Sequence, residues 1–200
     1  MTDRTHAVFP IGHYMGERHP ERRHVIRIGL EHRTVTEDEF GVWVLAHGLP
    51  AAGGRTWTVG HVLDLAAESG LPPAADMIHT MRGAGLLATL GPADGEALRF
   101  ARSYRLDPLL VGIGNSEDEP DRYQVGWPGA PAVAVLDASS YELWQWGHVA
   151  PSLWHTHQVR ERVAADLGEQ ATVTGLLDGL LGDVRELLAA CCAYLDLSRQ

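Results

Sequence analysis

Hydrophobic positions recur at helical spacing over residues 58–84, and they predict two consecutive helices. Thr58 is a typical N-cap residue, and Gly70 suits a left-handed helix end. Pro73 suits the first position of a second helix, which ends at Gly85 before a short strand. The positions expected to face inward are Val59, Val62, Leu63, Ala66, Ala74, Ile78 and Met81. The pattern therefore predicts helix, turn, helix and strand.

Other patterns predict the elements on either side. Residues 1–23 are rich in Gly, Pro, His and Arg and predict a loop or arm. Alternating β-branched residues predict a strand over 24–30. Thr36 with Glu39 forms a capping-box pattern, which opens an almost entirely apolar and hence buried helix over 40–47. Residues 97–106, after a turn, predict the two strands of a wing.

An internal repeat links the two halves of the chain. Residues 141–148 match 40–47 through the pairs Phe40 and Tyr141, Trp43 and Trp144, and His47 and His148. The pair Thr172-Val173 likewise resembles Thr58-Val59, and a closing helix is predicted over 183–194. The second copy then contains an extra helix, 152–167, and no wing. The repeat predicts two tandem units, each with a buried tryptophan in its first helix.

The segment Met81 to Pro92, MRGAGLLATLGP, resembles the end of the second helix and the wing of winged helix-turn-helix proteins such as the MarR-like regulators. The order strand, helix, helix, helix ending in Gly-Leu-Leu is also similar to the PqqD-like peptide-recognition domains. The resemblance implies an α+β fold of two tandem winged-helix-like units, mostly helical with short wing strands. The expected boundaries are an N-terminal arm and strand at 1–35, unit 1 at 36–106, a strand and loop connection at 107–137, and unit 2 at 138–200.

Composition is that of an ordinary globular protein: 200 residues, 45% hydrophobic and 21% charged. No apolar run reaches the length of a membrane span, and the N-terminus lacks the apolar region of a signal peptide. The two cysteines, Cys191 and Cys192, are adjacent and poorly placed to bridge each other, which suggests a reducing compartment. We therefore expect a cytoplasmic protein that does not interact with membranes.

Charge is distributed unevenly. The formal net charge is −10, and all 16 basic residues are arginines. Through Arg105 there are 11 arginines against 12 acids, whereas the remaining chain has 5 against 14. Phosphate backbones repel such an acidic second half. Any nucleic acid must therefore be bound by the first half.

The winged-helix resemblance implies transcriptional regulation through DNA binding by unit 1. In such proteins the second helix enters the major groove. Here its first residues are Ala74, Ala75, Asp76 and Met77, which are poor base readers. The candidate DNA contacts are arginines of the wing, of the arm and of the helix, together with one histidine: Arg99, Arg102, Arg105, Arg22, Arg23, Arg82 and His79.

The alternative is recognition of a protein or peptide by the same fold. The PqqD-like resemblance implies that an extended peptide adds to a sheet edge, for which strand 24–30 is the candidate. The residues concerned are Val25, Ile26, Arg27 and Ile28. Tryptophans at 127, 144, 146 and 154 suit either such an interface or a core that joins the two units.

Catalysis and metal binding find little support. The chain has no nucleophile elbow, phosphate loop or dinucleotide fingerprint. Cys191 lies on the apolar stripe of the last helix, and Cys192 has no basic neighbour that would lower its pKa. The histidines considered for a metal are His13, His19, His24, His155 and His157, but no cysteine accompanies them. His47 and His148 stand at helix ends, where a cationic imidazole is stabilised. We expect no enzyme, cofactor or metal; the oligomeric state, a homodimer included, stays open.

Overall fold

The computed structural model describes residues 3–93, 95–168 and 172–199. Its strands are β1 (Ala7–Pro10), β2 (His13–Arg18), β3 (Arg23–Ile28), β4 (Glu31–Val35), β5 (Leu87–Leu90), β6 (Tyr104–Pro108), β7 (Val111–Gly114), β8 (Tyr123–Gly126), β9 (Ala132–Leu136) and β10 (Ala193–Leu197). Its helices are α1 (Glu37–Leu45), α2 (Val59–Glu68), α3 (Ala74–Gly83), α4 (Glu96–Ser103), α5 (Ala138–Trp146), α6 (Leu153–Asp166) and α7 (Val173–Ala189), with a 3-10 turn at Pro50–Ala52.

The strands form small antiparallel sheets. β1 pairs with β5 and β6 with β10, while β2–β3–β4 and β7–β8–β9 are three-stranded. Helices contain more residues than strands. The expected mixed α+β class, with helices and short strands, is confirmed.

The order of elements occurs twice. Each half has one strand, a three-stranded antiparallel sheet, three helices and a last strand that pairs with the first. Helix α4 stands between the two halves. In this order α2 corresponds to α6 and α3 to α7.

Hydrogen bonds of two tryptophans support the internal repeat. The indole N–H of Trp43, on α1, donates to the carbonyl of Ile11, just after β1 (3.3 Å). The indole N–H of Trp144, on α5, donates to the carbonyl of Leu109, just after β6 (3.1 Å). Both tryptophans are buried, at 4% and 7% exposure, as predicted. The match of residues 40–47 with 141–148 therefore reflects equivalent places in the two halves.

Local signals in the first half are confirmed. Thr36 and Glu39 form the expected capping box at the start of α1. Thr58 caps α2, Gly70 has a φ of +70° after it, and α3 begins at Ala74, directly after Pro73. Among the predicted inward residues, Leu63 is partly buried and the others are buried: Val59, Val62, Ala66, Ala74, Ile78 and Met81. Helix α1 is less buried than expected, because Val44 is 46% exposed.

The predicted wing over 97–106 is wrong. Residues Glu96–Ser103 form helix α4, and the chain then continues into β6, which pairs with β10. Phe100 and Ala101 pack inward from α4, and the ring of Phe100 lies 4.6 Å from that of Phe9. Burial of this apolar face explains why a helix forms. Asp94, in the preceding turn, lies outside the described residues.

Three other expectations also need correction. The arm at 1–23 is not a loop, because it contains β1 and β2, whose partners β5 and β3 complete their ladders. The helix expected as an insertion over 152–167 is α6, the second helix of its half. The helix expected over 183–194 is the last part of α7, which starts at Val173 and runs through Gly182. The last residues of that prediction lie beyond α7, and Ala193 and Tyr194 begin β10 instead. The carbonyl of Gly182 lies 3.1 Å from where a Cβ on Gly54 would stand.

One hydrophobic core runs through both halves. Polar contacts join them as well: the backbone N–H of Gly12 donates to Leu195 (2.8 Å), and Arg27 forms an ion pair with the buried Asp196 (3.0 Å). The Arg185 guanidinium, on α7, lies 5.0 Å from the centre of the Phe9 ring. The halves are therefore packed as one body.

Candidate recognition groove

A groove of about 580 Å³ opens between α3, β5 and α4. We call it the α3–α4 groove. It is lined by His79, Arg82, Gly83, Leu87, Ala88, Thr89, Leu90, Glu96, Arg99, Phe100, Ser103 and Tyr104. Three of the predicted DNA contacts, His79, Arg82 and Arg99, therefore meet at one site.

Helical spacing places His79 and Arg82 on the wall formed by α3. Ile78 and Met81 are buried in the core, so the residue after each of them faces outward. Both His79 and Arg82 are exposed. The wall therefore supplies a guanidinium and an imidazole to the groove.

The opposite wall, on α4, carries one acid and one base. Glu96 accepts a hydrogen bond from the backbone N–H of Gly91 (2.6 Å) through one carboxylate oxygen. Its other oxygen lies 3.9 Å from Arg99, whose side chain is 69% exposed. So long a contact at an exposed site stabilises little and leaves the Arg99 guanidinium able to bind a ligand. Two arginines against one glutamate give the lining of the groove a net positive charge, in a protein of net charge −10.

The floor of the groove is the outer edge of β5. The backbone N–H of Ile11 donates to Leu86 (2.9 Å), and the register pairs Phe9 with Ala88. Bonded pairs alternate along an antiparallel ladder, so Ala88 faces β1 while the N–H and C=O of Thr89 point away from it. Thr89 is half-buried and lines the groove. It therefore offers a backbone donor and acceptor to a ligand.

The other wing arginines lie outside this groove. Arg102, on α4, stacks over the ring of Trp154 on α6 at 5.3 Å. Arg105, on β6, is 11% exposed and forms ion pairs with Asp107 and Asp196. Since both acids are buried, Arg105 stabilises the junction of β6 and β10 and is occupied there.

The arm arginines lie elsewhere. Arg22 stands at the turn between β2 and β3 and contacts Glu17 (3.2 Å) and Glu37 (3.7 Å). Arg23 begins β3, opposite Arg18 of β2. Neither residue lines the α3–α4 groove.

Strand 24–30 is not a free edge. It is β3, the central strand of its sheet, with β2 on one side and β4 on the other. Val25, Ile26 and Ile28 are buried, and Arg27 contacts Gly29, Tyr194 and Asp196. The sequence could not reveal this, because the strand that takes the second side of β3 arises from the arm. The prediction that these residues form the docking edge is wrong.

In the described residues, the surroundings of the histidines and cysteines do not favour metal binding or nucleophilic catalysis. They contain no group of three or more His, Cys, Asp or Glu residues placed to hold a metal ion. His13 stacks on Tyr194 at 4.6 Å, and burial lowers its pKa. Burial raises the pKa of Cys191 and raises that of Cys192 to about 12, which is opposite to what a thiolate nucleophile needs.

Sequence reasoning missed Glu96 and Thr89 as parts of the site. The helical spacing of Ala97, Phe100 and Ala101 was the signal that could have revealed α4 and hence Glu96. Which face Thr89 presents depends on the β1–β5 register, for which the sequence carries no local signal.

Comparisons with models of protein families, with curated proteins and with solved structures found no match for this chain. Among the described residues, no helix has the length and apolar character needed to cross a membrane.

Proposed function

We propose that this protein is a non-catalytic recognition module that binds an extended acidic peptide in the α3–α4 groove. The observation that carries the proposal is the combination of cationic walls, formed by Arg82 and Arg99, with an outward-facing backbone at Thr89. A strand laid along β5 would use the backbone groups, and its carboxylates would reach the guanidinium groups.

The fold we propose for each half is a winged-helix-like unit. Three helices followed by a strand that returns to pair with the first strand support this reading. In the first half, the chain after β5 forms α4 where the two strands of a wing were expected. Within the described residues β5 pairs with β1 alone, so its other edge is available for an added strand.

DNA binding is the second candidate, and one observation favours it. His79, Arg82 and Arg99, expected as DNA contacts on sequence grounds, line one groove. Against it, Asp76 and Ala75 are the exposed residues in the first turn of α3. Helix α4 also stands beside α3, where a duplex would have to approach, and Arg105 is engaged in ion pairs. A concave groove fits a peptide chain better than a duplex.

The test compares two ligands on the same full-length protein. A labelled peptide of alternating Glu and Thr should bind, and its Ser–Thr counterpart should bind much more weakly. Replacing Arg99 with Gln should weaken binding about tenfold, the worth of one charge-assisted hydrogen bond. Arg22→Gln is the matched control, because it removes an exposed arginine outside the groove.

A second variant tests whether the peptide adds to β5 as a strand. Thr89→Pro removes an N–H that faces the groove and leaves the bonds to β1 intact, so it should weaken peptide binding while the fold is retained. A mixed-sequence DNA duplex should show no shift at about 50 mM salt, where electrostatic binding is strong. A DNA shift abolished by Arg99→Gln, with no peptide binding, would replace the peptide function with DNA binding.

A further inference from the structure

The sheet β7–β8–β9 has one apolar face toward the core and a second apolar face toward solvent. On the inner side, a Cβ at Gly112 would meet the Tyr141 hydroxyl at 2.8 Å, and Val125 and Leu136 are buried. Side chains alternate along a strand, so the neighbours of these residues point the other way. Ile113 and Val133 stand at register shifts of the ladders, and both side chains are exposed on this second face.

We call this second face the outer face; its apolar side chains are Val111, Ile113, Val133 and Val135, and Gln124, paired with Val135, is its polar residue in the central strand. Each of the apolar side chains is between 40% and 50% exposed. Gly126 lies among them, and the Cδ1 atom of Ile113 is 3.3 Å from where its Cβ would stand. Trp127, 60% exposed, follows directly at the end of β8. A contiguous apolar surface of this kind is typical of interaction sites.

The sheet at the same place in the first half serves as an internal comparison. Its last strand, β4, reads Glu-His-Arg-Thr-Val, and the first four residues are exposed. The corresponding strand of the second half, β9, exposes Val133 and Val135 instead. The arrangement of strands and helices therefore does not itself require an apolar outer face on the last strand of the sheet.

Acidic residues surround one end of the outer face. The connection between β7 and β8 carries four exposed acids: Glu117, Asp118, Glu119 and Asp121. One base, Arg122, is next to them and donates to the carbonyl of Val135 (3.1 Å). The end of the sheet is therefore strongly negative, and a partner bound across it gains from positive charge.

We propose that the outer face binds an amphipathic helix of a partner protein, with apolar residues on one side and Lys or Arg residues beside them. Three strands about 4.8 Å apart make a surface roughly 10 Å wide, close to the diameter of one helix. Strands of this length extend about 15 Å, which is the length of roughly ten helical residues. The valines and Ile113 contact the apolar side of the helix, and the acidic connection attracts its cationic residues.

The experiment uses the full chain and a labelled synthetic peptide of Leu and Lys, with the leucines at helical spacing, in fluorescence anisotropy titrations. The double variant Val133→Ser, Val135→Ser should bind the peptide about tenfold more weakly or worse, since two apolar contacts are lost. The control is Val159→Ser, Val163→Ser on α6, where both valines are similarly exposed but lie outside the sheet. This control should bind like the wild type.

Charge is tested separately. The triple variant Glu117→Gln, Asp118→Asn, Glu119→Gln should weaken binding and reduce its dependence on salt. A peptide of the same composition without helical spacing of its leucines should bind much more weakly. The proposal is overturned if the Leu–Lys peptide does not bind, if both valine pairs affect binding equally, or if the reordered peptide binds as tightly. Circular dichroism of each variant checks that the fold is retained.

Discussion

At the scale of single residues, the backbone of Cys191 lies in the left-handed region, with φ of +52°. Cys191 follows the end of α7 in the same way that Gly85, with a φ of +75°, follows the end of α3. The two helix ends have matching backbone hydrogen bonds: the N–H of Cys192 donates to the carbonyl of Leu187 (3.1 Å), and the N–H of Leu86 donates to the carbonyl of Met81 (2.8 Å). Met81 is thus equivalent to Leu187, one residue from the Leu188 expected of a superposition. Only glycine adopts this conformation without a steric penalty.

We predict that Cys191→Gly stabilises the protein. The gain should be about 0.5–1 kcal/mol, since relief of strain exceeds the added freedom of the unfolded chain. Urea denaturation measures it. The reverse change at the equivalent position, Gly85→Ala, should destabilise by about 1 kcal/mol. Loss of stability in Cys191→Gly would show that the thiol contributes more than the backbone strain costs.

His47 was expected to be cationic at the end of a helix, and that expectation is wrong. Burial lowers its pKa from 6.5 to about 4. The Nδ1 atom lies 3.0 Å from the carbonyl of Trp43, which can only accept, so Nδ1 carries the proton of a neutral imidazole. The ring also packs edge-on against the Trp43 indole, at 4.4 Å between centres. Desolvation of the ring outweighs attraction by the helix end.

The lowered pKa of His47 predicts how stability depends on pH. Below pH 6.5 the unfolded chain binds a proton at this residue, whereas the folded protein does so only near pH 4. The free energy of unfolding should therefore fall on acidification through this window, by at most about 3 kcal/mol from this group. Urea titrations at several pH values measure the slope. His47→Gln should have a shallower slope than the wild type, and equal slopes would contradict the assignment.

At the scale of elements, each half depends on the tryptophan of its first helix. The indole N–H of Trp144 lies within reach of two carbonyls, those of Leu109 and Cys192, which flank the β6–β10 pair. Trp144→Ala should destabilise by about 3–5 kcal/mol, because it leaves a cavity. Trp144→Phe keeps much of the volume but leaves the carbonyls without the indole donor, so the loss should be about 1–3 kcal/mol. Thermal unfolding of both variants measures the difference, and equal losses would mean that the hydrogen bonds contribute nothing.

The elements that the sequence predicts well are those with local causes. Thr36, Thr58 and Gly70 cap helices through contacts within a few residues, and α2 and α3 follow from helical spacing. The same spacing correctly assigned His79 and Arg82 to the exposed side of α3. Half of the candidate groove could therefore be predicted from sequence.

The elements that the sequence predicts poorly depend on distant partners. β1 is recognised as a strand only once β5, more than seventy residues away, pairs with it. Helix α4 has helical spacing at Ala97, Phe100 and Ala101, but the contact of Phe100 with Phe9 that buries this face is long-range and not visible in the sequence. The wall on α4 and the edge of β5 were missed for these reasons.

At the scale of the whole molecule, Asp196 joins the two halves. It is fully buried; one oxygen accepts from the backbone of Gly29 (2.6 Å) and the other from Arg27 (3.0 Å). The Arg105 guanidinium lies 3.6 Å away. Asp196→Ala should destabilise by roughly 3–5 kcal/mol, because two partly buried cations lose their partner and the Gly29 N–H loses its acceptor. Urea denaturation tests this.

A control for Asp196→Ala is Asp64→Ala. It breaks an ion pair with Arg4 in which both side chains are more than half exposed. Its effect on stability should be less than about 1 kcal/mol. If the two alanine variants unfolded alike, the junction between the halves would rest on apolar packing alone.

The pairing of first and last strands in each half has a consequence for how the chain acquires its structure. Pro10 must meet Leu87, and Pro108 must meet Ala193, so each ladder closes a loop of more than seventy residues. Closing such a loop costs about 4 kcal/mol of chain entropy before any ladder contact forms. The helices depend on contacts that are close in sequence, so they can form before the strand pairs. During synthesis, β1 emerges long before its partner, and a nascent chain that pauses before residue 87 presents an apolar strand with nothing to pair with. Slow folding and early engagement by chaperones are the expected signature of this topology.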